Sequence, residues 1–133
     1  MSSHATLDEK LVSAIRTALG DGLRSVVRFD RDDWAACYLR SDVDRSVGGR
    51  DALQAWFVEN ERLGFESAAA YGEYADSHDV EPAFGEYELT VRVFEDGLVG
   101  RVIVGDHGVI FTTDRMALRN VEDAGLAARN VLA

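Results

Sequence analysis

A chain of 133 residues, 47% of them hydrophobic, can bury one core of ordinary size, which favours a single folded domain over disorder. Its 24 acidic residues against 14 basic ones leave a net charge of −10, which excludes a basic nucleic-acid footprint. No apolar run approaches the ~20 residues of a membrane span, and Cys37, the one cysteine, excludes an intramolecular disulfide or a cysteine-based zinc cluster.

Among the basic residues only Lys10 is a lysine. Acidity alone gives no reason to shed lysine, but high intracellular salt does. Carboxylates hold a hydrated, cation-rich surface, whereas long aliphatic lysine stems expose apolar area that strong salt drives together. Molar salt also shortens the screening length to roughly 3 Å, so the net charge costs little in self-repulsion. With no charged-then-apolar leader pattern at the N-terminus, the expectation is a halophilic, cytoplasmic protein without membrane or nucleic-acid partners.

Residues 1–5 read as a disordered N-terminus and residues 6–133 as the single domain. Thr6 and Glu9 fit a capping box ahead of Leu7, Leu11, Ile15 and Leu19 at helical spacing, so the first helix is expected over Leu7–Leu19, stopped by Gly20 and Gly22. A strand follows over Leu23–Phe29, with Leu23, Val27 and Phe29 on one face and Arg24, Val26 and Arg28 on the other. Arg31-Asp32-Asp33 turns the chain into a second strand over Trp34–Arg40, where Cys37 reads as a small core residue because no base accompanies it.

Ser41–Gly49 is a polar linker, and a second helix is expected over Arg50–Leu63, ended by Gly64. Leu53, Trp56, Phe57 and Leu63 form its apolar stripe, read as core, with Glu59 and Glu61 on or beside the polar flank. Phe65–Ala83 is expected to be long and irregular, though Ala68–Ala70 could extend a helical turn. Asp76, His78, Asp79 and Glu81 are metal-compatible types that match no defined loop, and the default for them is a solvated acidic segment.

Phe84–Thr113 reads as three consecutive strands. Asp96-Gly97 is a strong two-residue hairpin signal, which sets Arg92 across from Arg101 and Phe94 across from Val99. One face then carries Leu89, Val91, Val93, Val102 and Val104 as core. The other carries Thr90, Arg92, Phe94, Val99, Arg101 and Ile103, neither dry nor cleanly polar. Two facing arginines need an anion between them: Glu88, a neighbouring helix or another subunit supplies it, or the face binds an anionic ligand or partner. A last helix over Leu118–Leu132 can set Val121, Ala124, Ala128 and Leu132 against the sheet.

The fold class is thus α+β: a single five-stranded antiparallel sheet with helices on both faces, in the order α-β-β-α-β-β-β-α. This order is similar to that of the roadblock/LC7 family of small dimeric regulators, and more loosely to profilin-like and sensor-type domains. The resemblance implies terminal helices on one face, the middle helix on the other, and a homodimer joined through Arg50–Leu63 and Phe84–Glu95. Helix two and its mate would then cover Phe94, Val99 and Ile103, and the partner would be a small GTPase or other signalling protein. The runs Tyr38-Leu39-Arg40-Ser41-Asp42 and Val91-Arg92-Val93-Phe94-Glu95 also resemble those of a family of small uncharacterised proteins of halophilic archaea.

There is no GxxxxGKS/T loop, no GxGxxG after a strand, no HExxH and no GxSxG, and Gly48-Gly49-Arg50 before the middle helix reads as linker. No residue takes a catalytic role and no cofactor or metal is implied. The leading reading is a small homodimeric regulatory or scaffold module that binds a protein, with Trp56, Phe57, Phe94, Val99 and Ile103 at its surface. One alternative is a ligand-sensing domain whose Arg28, Arg92 and Arg101 line an anion pocket; the other is an enzyme of unrecognised type.

Overall fold

A computed structural model describes residues 3–44, 50–78 and 86–133, with side chains over 6–42, 55–70 and 86–133. The chain runs α1 (Ser3–Leu19), β1 (Leu23–Phe29), β2 (Trp34–Leu39), α2 (Ser41–Asp44), α3 (Arg50–Glu61), α4 (Leu63–His78), β3 (Thr90–Val93), β4 (Gly97–Val104), β5 (His107–Asp114) and α5 (Leu118–Leu132). Its strands form one antiparallel sheet ordered β2-β1-β5-β4-β3, so β2 and β3 are the edges. This is the expected α+β class. No helix among the described residues is long and apolar enough to cross a membrane.

Each face of the sheet has its own core. On one, Leu11, Ile15 and Leu19 of α1 and Val121, Ala124 and Ala128 of α5 close over Leu23, Val26, Leu98, Val102, Val109 and Phe111. On the other, Val58 of α3 and Phe65 of α4 cover Val27, Phe29, Val99, Ile103 and Ile110. Small residues let α5 lie close to the sheet. A Cβ on Gly125 would stand 2.6 Å from Leu89 Cδ1, so that glycine marks where the Leu89 side chain, just ahead of β3, enters the helix surface.

The meander is offset from the expected register by two residues. The Phe94 N–H bonds Gly97 O at 2.9 Å, so Glu95 and Asp96 make the turn, and Thr90 faces Arg101 while Arg92 faces Val99. Because side chains alternate with period 2, an offset of two leaves every residue on its expected face. β3 is shorter than Phe84–Glu95 on the described residues. Where its ladder would continue, the Arg129 guanidinium bonds Glu88 O and Ile103 O.

Two bulges rearrange β1 and β2. Leu23 pairs Thr113 while Ser25 pairs Thr112, so Arg24 is an extra residue and Leu23 joins Val26 on the α1/α5 face instead of Val27 and Phe29. Val26 pairs Tyr38 while Val27 pairs Ala36, which turns both Cys37 and Tyr38 toward α1. The first helix begins at Ser3, ahead of the Leu7 start that the capping box suggested, and neither glycine nor proline interrupts Ser3–Ala5.

The middle of the chain departs most from expectation. Instead of one helix ending at Gly64 and an irregular Phe65–Ala83, α3 pauses at Arg62 and α4 runs on to His78. Gly64 falls in the first turn of α4, where it makes room for an arginine described below. Asp79, Glu81 and the rest of 79–85 lie outside the described residues, as do Gly48 and Gly49.

Glycine and phenylalanine are paired across strands on both faces. Gly100 faces Phe111, and Gly108 faces Phe29; in each pair the ring lies where a Cβ would stand. Gly100→Val should therefore displace Phe111 and cost about 1–3 kcal/mol, read as a melting temperature lower by roughly 3–5 °C per kcal/mol. At the end of the sheet Arg40 bonds Asp114 at 2.7 and 3.0 Å and Asp42 at 2.6 and 3.0 Å, joining β2 to β5. The Arg40 hydrogen bonds hold the Asp114 carboxyl below its ordinary range. A depressed carboxylate contributes stability that is present above the unfolded value of about 3.9 and lost as pH falls through the folded one. Asp114→Asn should thus be less stable than the wild type near neutrality, with the gap closing as pH falls through the lowered Asp114 range. A gap independent of pH in denaturant titrations would contradict this.

Candidate functional site

The candidate site is built on α3, α4 and the β3 edge, and one buried carboxylate organises it. Glu61 is 1% exposed. Arg92 Nε of β3 donates to its Oε1 at 2.6 Å, and Arg101 Nη1 of β4 donates to its Oε2 at 3.1 Å. Glu61 is thus the anion that the two arginines require, supplied by a helix of the same subunit and not by the polar flank where the pattern placed it. The Glu61 hydrogen bond raises Arg92 further above its already high range.

Neighbouring groups complete the lock. Arg101 Nη2 donates to Thr90 Oγ1 at 2.9 Å, and the Tyr87 hydroxyl sits 3.0 Å from that oxygen while donating to Arg101 O at 3.1 Å. A Cβ on Gly64 would stand 2.6 Å from Arg101 Cζ, so the guanidinium uses the space that this glycine leaves. The joint between helices is tied down as well. Arg62 N–H bonds Val58 O, Arg62 Nε donates to Asp30 O at 3.1 Å, and Phe65 packs edge-on to Phe29 at 5.6 Å.

This placement divides the sequence-derived residues. Arg28 lies on the α1/α5 side, bonded to Asp8 at 2.5 Å, so it shares no pocket with Arg92 and Arg101. Val99 and Ile103 are buried by α3 and α4 of their own subunit and do not need a mate to cover them. Phe57 is half-buried against the same cluster and stacks edge-on with Trp56. The stripe read as core is turned partly outward: Trp56 is 61% and Leu63 65% exposed, while Val58, Glu61 and Phe65 face the sheet.

Phe94 is 57% exposed, and Val93, read as core, is 49% exposed beside it. Leu118, at the start of α5, adds a third exposed apolar side chain. The β3 edge itself is open among the described residues. Since Phe94 N–H bonds Gly97 O, alternation along the ladder makes Arg92/Val99 and Thr90/Arg101 the hydrogen-bonded pairs. The backbone N–H and C=O of Val91 and Val93 therefore point away from β4. Leu63 and Val93 were missed because periodicity ranks residues by face and cannot tell where a face ends. Exposed apolar groups on both sides of a strand whose outer edge is open are what a self-pairing or strand-adding edge presents.

A shallow groove between α1 and β2, about 300 Å³, is lined by Asp8, Glu9, Val12, Ser13 and Cys37. Burial and the nearby Asp8 push the Cys37 thiol up to about 12, so it is not a thiolate at neutral pH. No cluster of three metal-ligating side chains occurs among the described residues.

Residues 9–133 match the family described as Domain of unknown function (DUF7522), and the chain belongs to that family. No curated protein matches it. Among solved structures it is similar to the gliding protein MglB of Thermus thermophilus, at 12% identity and a TM-score of 0.53, covering 98% of this chain and 92% of that one. It is also similar to Myxococcus xanthus MglB, at 11% identity and a TM-score of 0.53, covering 98% of each. The likeness is one of fold, and it agrees with the roadblock-like order of elements.

Removing the Glu61 carboxylate leaves Arg101 buried without its counterion, which costs about 3–5 kcal/mol in comparable sites. Glu61→Ala should therefore lower the unfolding midpoint sharply, while Glu59→Ala, exposed two residues away, should shift it by about 0–1 kcal/mol. Equal effects in urea titrations would show that the clamp is not what holds α3 and α4.

Proposed function

We propose that this member of the family is a small homodimeric regulatory or scaffold module that acts by binding a protein partner, of the small-GTPase or signalling kind, in a halophilic cytosol. The observation that carries this reading is the β3 edge, open among the described residues, with the backbone groups of Val91 and Val93 turned outward and Val93 and Phe94 exposed beside them. A second copy supplies what such an edge lacks, because its own β3 presents the same unpaired groups and an isologous pair satisfies both at once.

Charge narrows the register. Arg92 set against Arg92 of a second copy would repel, whereas a pair centred on Val91 sets Arg92 opposite threonine. The roadblock-like order and the fold shared with the two MglB structures support a dimeric regulator, and the roadblock resemblance supports a small GTPase as the kind of partner. High salt is supported by 24 acidic residues with a single lysine. The anion-pocket alternative is less well supported, since Glu61 already fills the arginines and Arg28 is elsewhere.

Light scattering in multimolar KCl should give twice the mass of one chain. Val93→Pro removes one outward N–H per chain that bonds no described group of its own subunit, and proline is tolerated on an edge strand. It should weaken the dimer on the order of tenfold, the equivalent of about 1.4 kcal/mol, with little change in unfolding midpoint of the isolated chain. A wild type that stays monomeric at high concentration overturns the assembly.

A further inference from the structure

The outward side of α3 and α4 carries a row that the β3 edge does not use. Trp56 on α3, and Leu63 and Ala70 on α4, recur at seven-residue intervals across the joint at Arg62, and all three are exposed. Val58 and Phe65 have the same spacing and are buried against the sheet, so the two rows look in opposite directions. Glu59 and Glu66, also exposed and seven residues apart, border the outer row. The nearest described cation, Arg62, is turned toward Asp30 O and stands 3.6 Å from Glu59. No described cation bonds Glu66.

We infer that this ridge is a docking site for an amphipathic helix whose apolar stripe is flanked by basic side chains. The inference rests on the reading of the chain as a protein-binding module and names the chemistry of the partner segment. A second copy of the ridge is a poor occupant, because Glu59 and Glu66 would meet their own kind. A basic helix instead sets its cations against those carboxylates and its apolar stripe on Trp56 and Leu63. Tryptophan supplies the anchor, as buried aromatics do at interface centres. Screening in molar salt leaves apolar contact as the main source of affinity and the charges as selectors of orientation and partner.

The test uses a labelled Leu/Lys amphipathic peptide of ~18 residues, about 27 Å long when helical, a scrambled peptide of equal composition, and a Leu/Glu amphipathic peptide. Fluorescence anisotropy should show the Leu/Lys helix binding at least about tenfold more tightly than either control. Trp56 emission, isolated by difference against Trp56→Phe, should shift to the blue. Leu63→Glu adds a carboxylate and so strengthens any unspecific attraction for lysine, yet it should weaken the Leu/Lys helix about tenfold or more; Trp56→Ala should do the same. Unchanged or tighter binding by Leu63→Glu overturns the inference, as does equal binding of the Leu/Glu helix. Light scattering on the same samples separates the two readings. A wild-type dimer that binds none of the peptides refutes the ridge alone, and a monomer that binds the Leu/Lys helix refutes the dimer alone.

Discussion

One carboxylate shared by two guanidinium groups determines how the helical layer sits on this sheet. Glu61 lies between Arg92 and Arg101 with almost no contact with water. Taking Glu61 and Arg101 out of solvent is costly, with Arg92 reaching in from a half-exposed position, and hydrophobic residues of the same volume would often be as stable. What the charged version supplies is a unique arrangement. A helix held only by Val58 and Phe65 could rotate or slide on an apolar sheet face, but one whose carboxylate must reach two fixed arginines cannot. With Glu61 turned inward, Trp56 and Leu63 are turned outward. The rotation that hides the acid is the one that exposes the ridge.

The same contact acts on the edge strand. Arg92 belongs to β3, and its side chain is drawn back across the sheet face toward Glu61 instead of standing over the open edge. Charged side chains are a common device for blunting an exposed strand. Here the charge is occupied elsewhere, and the edge is left with valine and phenylalanine beside its free backbone groups. Salt sharpens the contrast. Exposed pairs such as Arg16–Asp21 at 3.7 Å and Arg31–Asp106 at 3.5 Å are screened within a few ångströms in a molar electrolyte. The Glu61–Arg101 pair is shielded from those ions by its burial and keeps its strength where the surface pairs lose theirs.

Much of the fold was legible because it depends on short-range pattern. Alternation assigned the meander residues to the correct faces even though its turn falls at Glu95-Asp96, since a slip of two residues conserves parity. Leu23 was misassigned for the complementary reason: a bulge at Arg24 inserts one residue and reverses parity, and nothing in the local pattern marks it. Gly64 misled in another way. A glycine after an apolar helical stripe ordinarily ends a helix, but this one is small because Arg101, 37 positions away in sequence, needs the space. Glu61 was illegible for the same kind of reason. A glutamate on an acidic chain reads as solvated until the partners that bury it are placed. The need for an anion between Arg92 and Arg101 was visible in the strands; which residue met it depended on the packing of a distant helix.

The edge and the ridge need not compete. The unpaired groups of β3 lie in the plane of the sheet, whereas the Trp56–Leu63 row faces away from that plane on the far side of α3 and α4. A second copy joining in plane would extend the sheet and leave the row uncovered, giving two acid-bordered rows on one surface. Two binding rows on a dimer raise the effective concentration for a partner that carries two basic helices, without any added contact per row. Since Glu61 fixes both the helix rotation and the position of Arg92, a change that loosens it would disturb the row and the edge together. Under this geometry, assembly and partner binding are linked through a residue that touches neither the second copy nor the docked helix.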